Sequence, residues 1–188
     1  MILLIGQDLS MDFEPKRIAV IGNGGGGKST LAAALSERYG LAWHEVDKIQ
    51  FGPNWSRPPE DHVRAEINAI IEQPEWVIDG FGPYDTILRR FDIADLIVFI
   101  DHPLWVHYWW AMERQISAHQ GQARFGGRED CDLRDVNREM CQAIWYVHTE
   151  LRPKIVEDLK RFSAKVQTVG SPEKLNEHLK ELTGKVPE

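Results

Sequence analysis

Cysteine is scarce in this 188-residue chain, which has two, Cys131 and Cys141. Ten residues apart on one predicted helix, they would stand about 15 Å from each other, too far to bridge. A disulfide scaffold is excluded, and reduced thiols in a cytoplasmic protein are expected. Long apolar runs are missing too: nothing approaches the ~20 residues of a membrane-spanning helix. "MILLIG" at the start has no preceding basic residue and no cleavage site, so it does not read as a signal peptide. The seven histidines show no H-x-x-x-H and the cysteines no C-x-x-C, which argues against zinc. Hydrolytic serine chemistry lacks its G-x-S-x-G elbow, and no N-K-x-D motif reads a guanine base. Positive charge is in deficit, with 22 Lys and Arg against 29 Asp and Glu, a formal net charge of -7. That balance opposes broad nucleic-acid binding, which runs on phosphate neutralisation.

Glycine, by contrast, is concentrated. "IGNGGGGKST" (Ile21 to Thr30) places five glycines in six positions, Gly22 to Gly27, interrupted only by Asn23. Gly22, Gly24 and Gly27 satisfy the dinucleotide pattern G-x-G-x-x-G, and Asp47 supplies the acidic residue that pattern wants about twenty positions on. Gly22, Gly27, Lys28 and Ser29 satisfy the P-loop pattern G-x-x-x-x-G-K-[ST]. Lys28-Ser29 separates the two. A phosphate-wrapping loop needs a cation for the terminal phosphates and a hydroxyl for magnesium, and a dinucleotide turn needs neither. The nucleotide-binding set is therefore Gly22, Asn23, Gly24, Gly25, Gly26, Gly27, Lys28, Ser29 and Thr30.

The surroundings agree. Arg17 to Ile21 reads as a strand buried on both faces. Ser29 to Tyr39 carries Leu31, Ala34 and Leu35 at helical spacing, with Gly40 as a stop. Further strands are expected at 40–46, 76–78, 96–100 and 166–169. Helices are expected at 60–73 and 103–119, then in a long segment from Leu133 bent near Pro153, and after Ser171-Pro172. Strands alternating with helices predict an α/β fold, a three-layer, doubly wound parallel sheet of five strands. Residues 1–15 read as an N-terminal extension and 16–188 as a single domain. A small helical lid insert is expected over about 114–131. The stripe Trp105, Trp109, Met112 and Ile116 is expected to face the core.

Ligands of such sheets bind beyond the carboxyl ends of the strands. Asp47, Asp79 and Asp101 all stand at predicted strand ends. Asp79, followed by an open glycine turn, is the expected magnesium carboxylate beside Ser29; Asp101 is the alternative, its other reading being a helix cap. Asp47 is placed to take a proton from an acceptor hydroxyl. Trp55, in the proline-rich loop after it, would line the acceptor pocket. Arg114, Arg124 and Arg128 bracket the glycine-bearing insert and would bring cations onto a transferring phosphoryl group. Arg89 and Arg90 lie within reach of the same crevice.

On these residues the chain resembles the small P-loop kinases related to adenylate kinase. More narrowly it resembles the bacterial group called DNA topology modulation, or adenylate kinase-related, proteins. The resemblance is carried by Gly22 to Thr30, "HEVDKIQFGPNW" (His44 to Trp55), "WVIDGFG" (Trp76 to Gly82), "FIDHPLWV" (Phe99 to Val106) and "LRPKI" (Leu151 to Ile155). It implies a nucleoside-triphosphate-dependent phosphotransferase with an arginine-bearing lid, using ATP and Mg2+ on a small-molecule acceptor. Nucleotide kinases of this kind carry D-G-F-P-R, and here Asp79-Gly-Phe81 is followed by Gly82-Pro83-Tyr84 instead. The arginine that would hold a nucleotide acceptor's phosphate is missing there, unless Arg89 or Arg90 substitutes. Arg152-Pro153 is similar to the arginine-proline pair of shikimate-type kinases, which implies an anion contact at Arg152. Two other readings stay open: a P-loop ATPase or regulator acting with DNA or a protein partner, and, more distantly, a dinucleotide-binding oxidoreductase.

Overall fold

The computed structural model describes residues 14–52, 56–120 and 133–184. Trp55, Arg124, Arg128 and Cys131 lie outside these residues, as does most of the expected lid insert.

Five strands form one parallel sheet: β1 (Arg17–Gly22), β2 (Trp43–Glu45), β3 (Trp76–Asp79), β4 (Leu96–Ile100) and β5 (Val166–Val169). Their spatial order is β2-β3-β1-β4-β5, every neighbouring pair parallel. From β1 the chain goes to one side for β2 and β3, then crosses to the other for β4 and β5. The carboxyl end of β1 is thus the topological switch point, where such sheets open a crevice.

Alternate residues of each strand point to opposite faces, and the sequence supplies apolar side chains for both. Ile18 and Val20 pack with Leu31 and Leu35 of α1 (Lys28–Tyr39) and with Leu175 and Leu179 of α8 (Pro172–Thr183). Ala19 and Ile21 face the other way, onto α3 (Glu60–Ile71), α4 (Tyr84–Ile93) and α7 (Arg152–Leu159), through Ile67, Ile87, Phe91 and Ile155. Each such buried side chain contributes about 1.5–3 kcal/mol of transfer free energy. Local signals fix several helix ends. Gly40 closes α1 at φ 67°, its N–H donating to Ser36 O. Ser171 caps α8, accepting from the Lys174 N–H, and Pro172 opens the helix.

Three expectations need correction. Asp47 does not end a strand: β2 stops at Glu45, and Asp47 lies in the first turn of a short helix, α2 (Val46–Gln50). The long helical segment is not simply bent at Pro153. α6 (Leu133–Tyr146) runs into a π-helical turn, Val147–Leu151, before α7 begins at Arg152. The tryptophan stripe on α5 (Leu104–His119) faces outward: Trp105 and Trp109 are each 67% exposed and Ile116 55%. α5 instead turns Val106, His107 and Ala111 inward, all buried.

Candidate active site at the glycine loop

The loop after β1 is pinned from behind by the protein itself. A Cβ on Gly22 would lie 2.4 Å from Ile100 O on neighbouring β4. Gly25 sits at φ 66°, and a Cβ there would lie 2.5 Å from His107 O of α5. So at two positions the absence of a side chain is demanded by close approach of other backbone.

Asn23, the one interruption, ties the loop together. Its Oδ1 accepts the Gly24 N–H at 2.7 Å, and its Nδ2 donates to Ile144 O of α6 at 2.9 Å. Its carbonyl accepts from Lys28 Nζ at 2.9 Å. His107 completes the seat, with Nδ1 3.0 Å from Gly24 O. Because a carbonyl only accepts, that nitrogen carries the proton. His102 packs beside it, ring centroids 5.7 Å apart, and meets Trp110 edge-on. Burial pushes the His107 pKa down to about 4, with His102 adding to the effect. The same desolvation lowers His102. Neither histidine was singled out from the sequence. The available signal was position: His102 directly follows the strand-end Asp101, and His107 falls on the inner face of the next helix.

Lys28, Ser29 and Asp79 meet at the switch point. Burial lowers the Lys28 pKa, Asp47 and Asp79 pull it back up, and Arg114 on α5 pushes it down. Asp79 is 3% exposed and, among the described residues, its Oδ2 has no hydrogen-bond partner. Burial raises its pKa, while the Ser29 hydroxyl and the Lys28 charge stabilise the anion. A buried carboxylate oxygen without a partner is costly, so a cation or donor is the chemistry this position lacks. Asp47 belongs to the same group: a Cβ on Gly80, the residue after Asp79, would stand 3.7 Å from Asp47 Oδ1. Thr30, in the first turn of α1, is exposed.

Not every candidate faces the crevice. Arg90 is 1% exposed and lies beneath the Asp79 turn. It donates from Nη1 to Gly80 O at 2.8 Å, from Nη2 to Phe81 O and from Nε to Thr86 O at 3.3 Å. Buried cation and three carbonyls form a strut, which corrects the reading of Arg90 as an acceptor contact. Desolvation lowers its pKa to about 10. Arg89 is turned to the surface, paired with Glu72. Arg152 does border the cavity that Asn23, Phe81, His107 and His148 also line. Its Nε and Nη2 engage both oxygens of Asp101, at 2.6 and 2.8 Å. This pairing occupies Asp101, the alternative magnesium carboxylate.

Among the described residues, no three His, Cys, Asp or Glu side chains converge as a metal cage. Magnesium does not need one, since a carboxylate, a hydroxyl and substrate phosphate oxygens suffice beside retained waters. Ser29 with the unpartnered Asp79 oxygen fits that description. No helix among the described residues is long and apolar enough to cross a membrane.

Strand, G-x-x-x-x-G-K-S loop and helix in succession form a P-loop unit. At the switch point of a five-stranded parallel sheet, that unit defines an α/β P-loop NTPase fold. No protein-family model matches the chain, and no curated protein does. Among solved structures it is similar to shikimate kinase from Bacteroides thetaiotaomicron, at 14% identity and TM-score 0.48, over 90% of this chain and 97% of that one. Shikimate kinase from Aquifex aeolicus vf5 is similar at 17% identity and TM-score 0.46, over 88% and 92%. A gluconokinase from Sinorhizobium meliloti 1021 is similar at 18% identity and TM-score 0.39, over 75% and 98%. Topology and motif, both the chain's own, define the fold; these likenesses add nothing to the chemistry.

Proposed function

We propose that the protein is an ATP- and Mg2+-dependent phosphotransferase that moves the terminal phosphate of ATP to a hydroxyl of a small acceptor. One observation carries this reading: the unpartnered Asp79 Oδ2, buried beside Lys28 and Ser29 at the end of the glycine loop. Bound magnesium would neutralise charge on the phosphates. The chain's own groups do the rest. Loop N–H groups and the amino end of α1 bind phosphate oxygens. Lys28 and Arg114 stabilise charge on the moving group. Asp79 and Ser29 hold the metal side, and Asp47 takes the acceptor's hydroxyl proton as its oxygen attacks the terminal phosphorus. The bond to the bridging oxygen breaks, and ADP leaves.

Lys28 Nζ and the Gly24 N–H are both held by Asn23. Incoming phosphates would therefore exchange with these internal contacts. A dinucleotide reading leaves Lys28 and the buried Asp79 without a task. For the acceptor, the missing strand-turn arginine and the burial of Arg90 disfavour a nucleoside monophosphate. Arg152 remains at the cavity wall, and with it the resemblance to shikimate-type kinases.

ADP release should be measured with ATP and magnesium over a panel of nucleoside monophosphates and small hydroxylated metabolites. A metabolite that stimulates turnover, with Asp47→Asn removing that stimulation, is the expected result. Turnover that no acceptor changes would instead favour the ATPase reading. An Asp47→Asn variant with full acceptor-dependent transfer would remove Asp47 from its role.

A further inference from the structure

The outward face of α5 is the largest unexplained feature of the described surface. Trp105, Trp109, Met112 and Ile116 are 67%, 67%, 39% and 55% exposed. Their spacing of four, three and four residues is that of a coiled-coil seam, in which apolar residues alternate between a and d positions. On the opposite side of the same helix, His107, Ala111 and Arg114 look toward the glycine loop. So α5 carries a second apolar stripe on the side that meets solvent, where an ordinary surface helix is polar, while Val106, His107 and Ala111 face inward.

We propose that this face is the two-fold interface of a homodimer, with α5 packed antiparallel against α5 of a second copy. Two features select a second copy as the occupant. The first is area. At the exposures above, the four side chains leave roughly 500 Å2 bare on each copy. Two facing copies would then bury roughly 1,000 Å2 through α5 alone, the lower bound for a specific interface. α6 packs on α5, with Tyr108 Oη donating to Cys141 O at 3.3 Å, and it exposes Trp145 and Tyr146 as well.

The second feature is self-complementarity. A two-fold axis between Trp109 and Met112 puts Trp109 of one copy against Met112 of the other, and Trp105 against Ile116. Each layer then joins one large ring to one smaller aliphatic side chain, as an isologous contact requires. A lipid surface is the competing partner for exposed tryptophans, and the net charge of -7 opposes approach to anionic lipid. The interface would also brace the helix that backs the glycine loop. It is independent of the phosphotransferase reading, since it uses none of the site residues.

Sedimentation equilibrium of the full chain over a dilution series tests this directly. A dimer is expected, and Trp109→Lys and Met112→Glu should each raise its dissociation constant by roughly 30-fold or more. Far-ultraviolet circular dichroism should remain unchanged, because both side chains are exposed. Mixing the two variants should restore a one-to-one heterodimer. In one of its layers the introduced ammonium meets the introduced carboxylate, while the other layer keeps Trp109 against Met112. A wild-type monomer at every concentration would overturn the proposal, whether or not it bound neutral lipid vesicles. So would a dimer that either substitution leaves intact, or variants that fail to recover association when mixed.

Discussion

His107 makes the stability of this fold sensitive to mild acid. The residue is 2% exposed, donates from Nδ1 to Gly24 O, and has His102 and Lys28 as its cationic neighbours. Protonation would put a charge in a desolvated site near the Lys28 ammonium. The fall in pKa from 6.5 to about 4 corresponds to about 3 kcal/mol at 1.36 kcal/mol per pH unit. The sign follows from proton counting. Above pH 6.5 the ring is neutral in the folded and the unfolded chain, and nothing is lost. Between pH 6.5 and 4 the unfolded chain binds a proton that the folded chain refuses, so stability declines as pH falls. About 2 kcal/mol is gone by pH 5, and the full amount below pH 4. Urea unfolding followed by tryptophan fluorescence at pH 7 and pH 5, on wild type and His107→Gln, isolates the contribution. Glutamine keeps an N–H for Gly24 O and cannot titrate. Wild type should lose about 2 kcal/mol more than the variant across that interval. Equal losses would falsify the account of His107 as a desolvated, neutral prop of the loop.

Three further outcomes follow from the geometry. Asp79→Asn keeps the shape of the side chain but removes its charge, so magnesium-dependent turnover should fall by about 100-fold or more while the fold persists; steady-state kinetics with a magnesium titration reads this, and unchanged metal dependence would exclude Asp79 from the metal side. Arg90→Ala leaves the Gly80 and Phe81 carbonyls without this donor and should cost about 3 kcal/mol in chemical denaturation. A variant as stable as wild type would show that Arg90 is no strut. Gly25→Ala adds a methyl 2.5 Å from His107 O at positive φ, which should cost about 2 kcal/mol and weaken binding of an ATP analogue. Normal melting and binding would show that the loop has room behind it.

The glycine loop was legible because its requirements are local. Small residues, one lysine and one hydroxyl stand in a fixed order between an apolar strand and a helix, and no distant contact is needed to see them. Asp79 was legible for a similar reason, as a carboxylate ending a buried strand and followed by glycine. The tryptophan stripe of α5 was not. Apolar spacing says which residues share a face, and burial is the usual fate of such a face. Here the backbone of His107 and the small side chain of Ala111 approach Gly25, which fixes the side of α5 that faces the loop. The stripe of Trp105, Trp109, Met112 and Ile116 lies on the other side. Arg89 and Arg90 are equivalent in sequence, yet 100° of helical rotation buries one beneath the Asp79 turn and pairs the other with Glu72 at the surface.

By itself, then, the sequence determined the layered parallel sheet and the place of the glycine loop at its switch point, because both follow from spacing along the chain. The tertiary structure decided which carboxylate stays unpartnered, which arginine reaches the cavity, and which face of α5 meets solvent. Those outcomes depend on how segments far apart in the chain approach one another: Asp101 is claimed by Arg152, fifty-one residues later, and Asn23 by Ile144, a hundred and twenty-one later. Local pattern cannot express competition between such distant groups, and burial energy settles it.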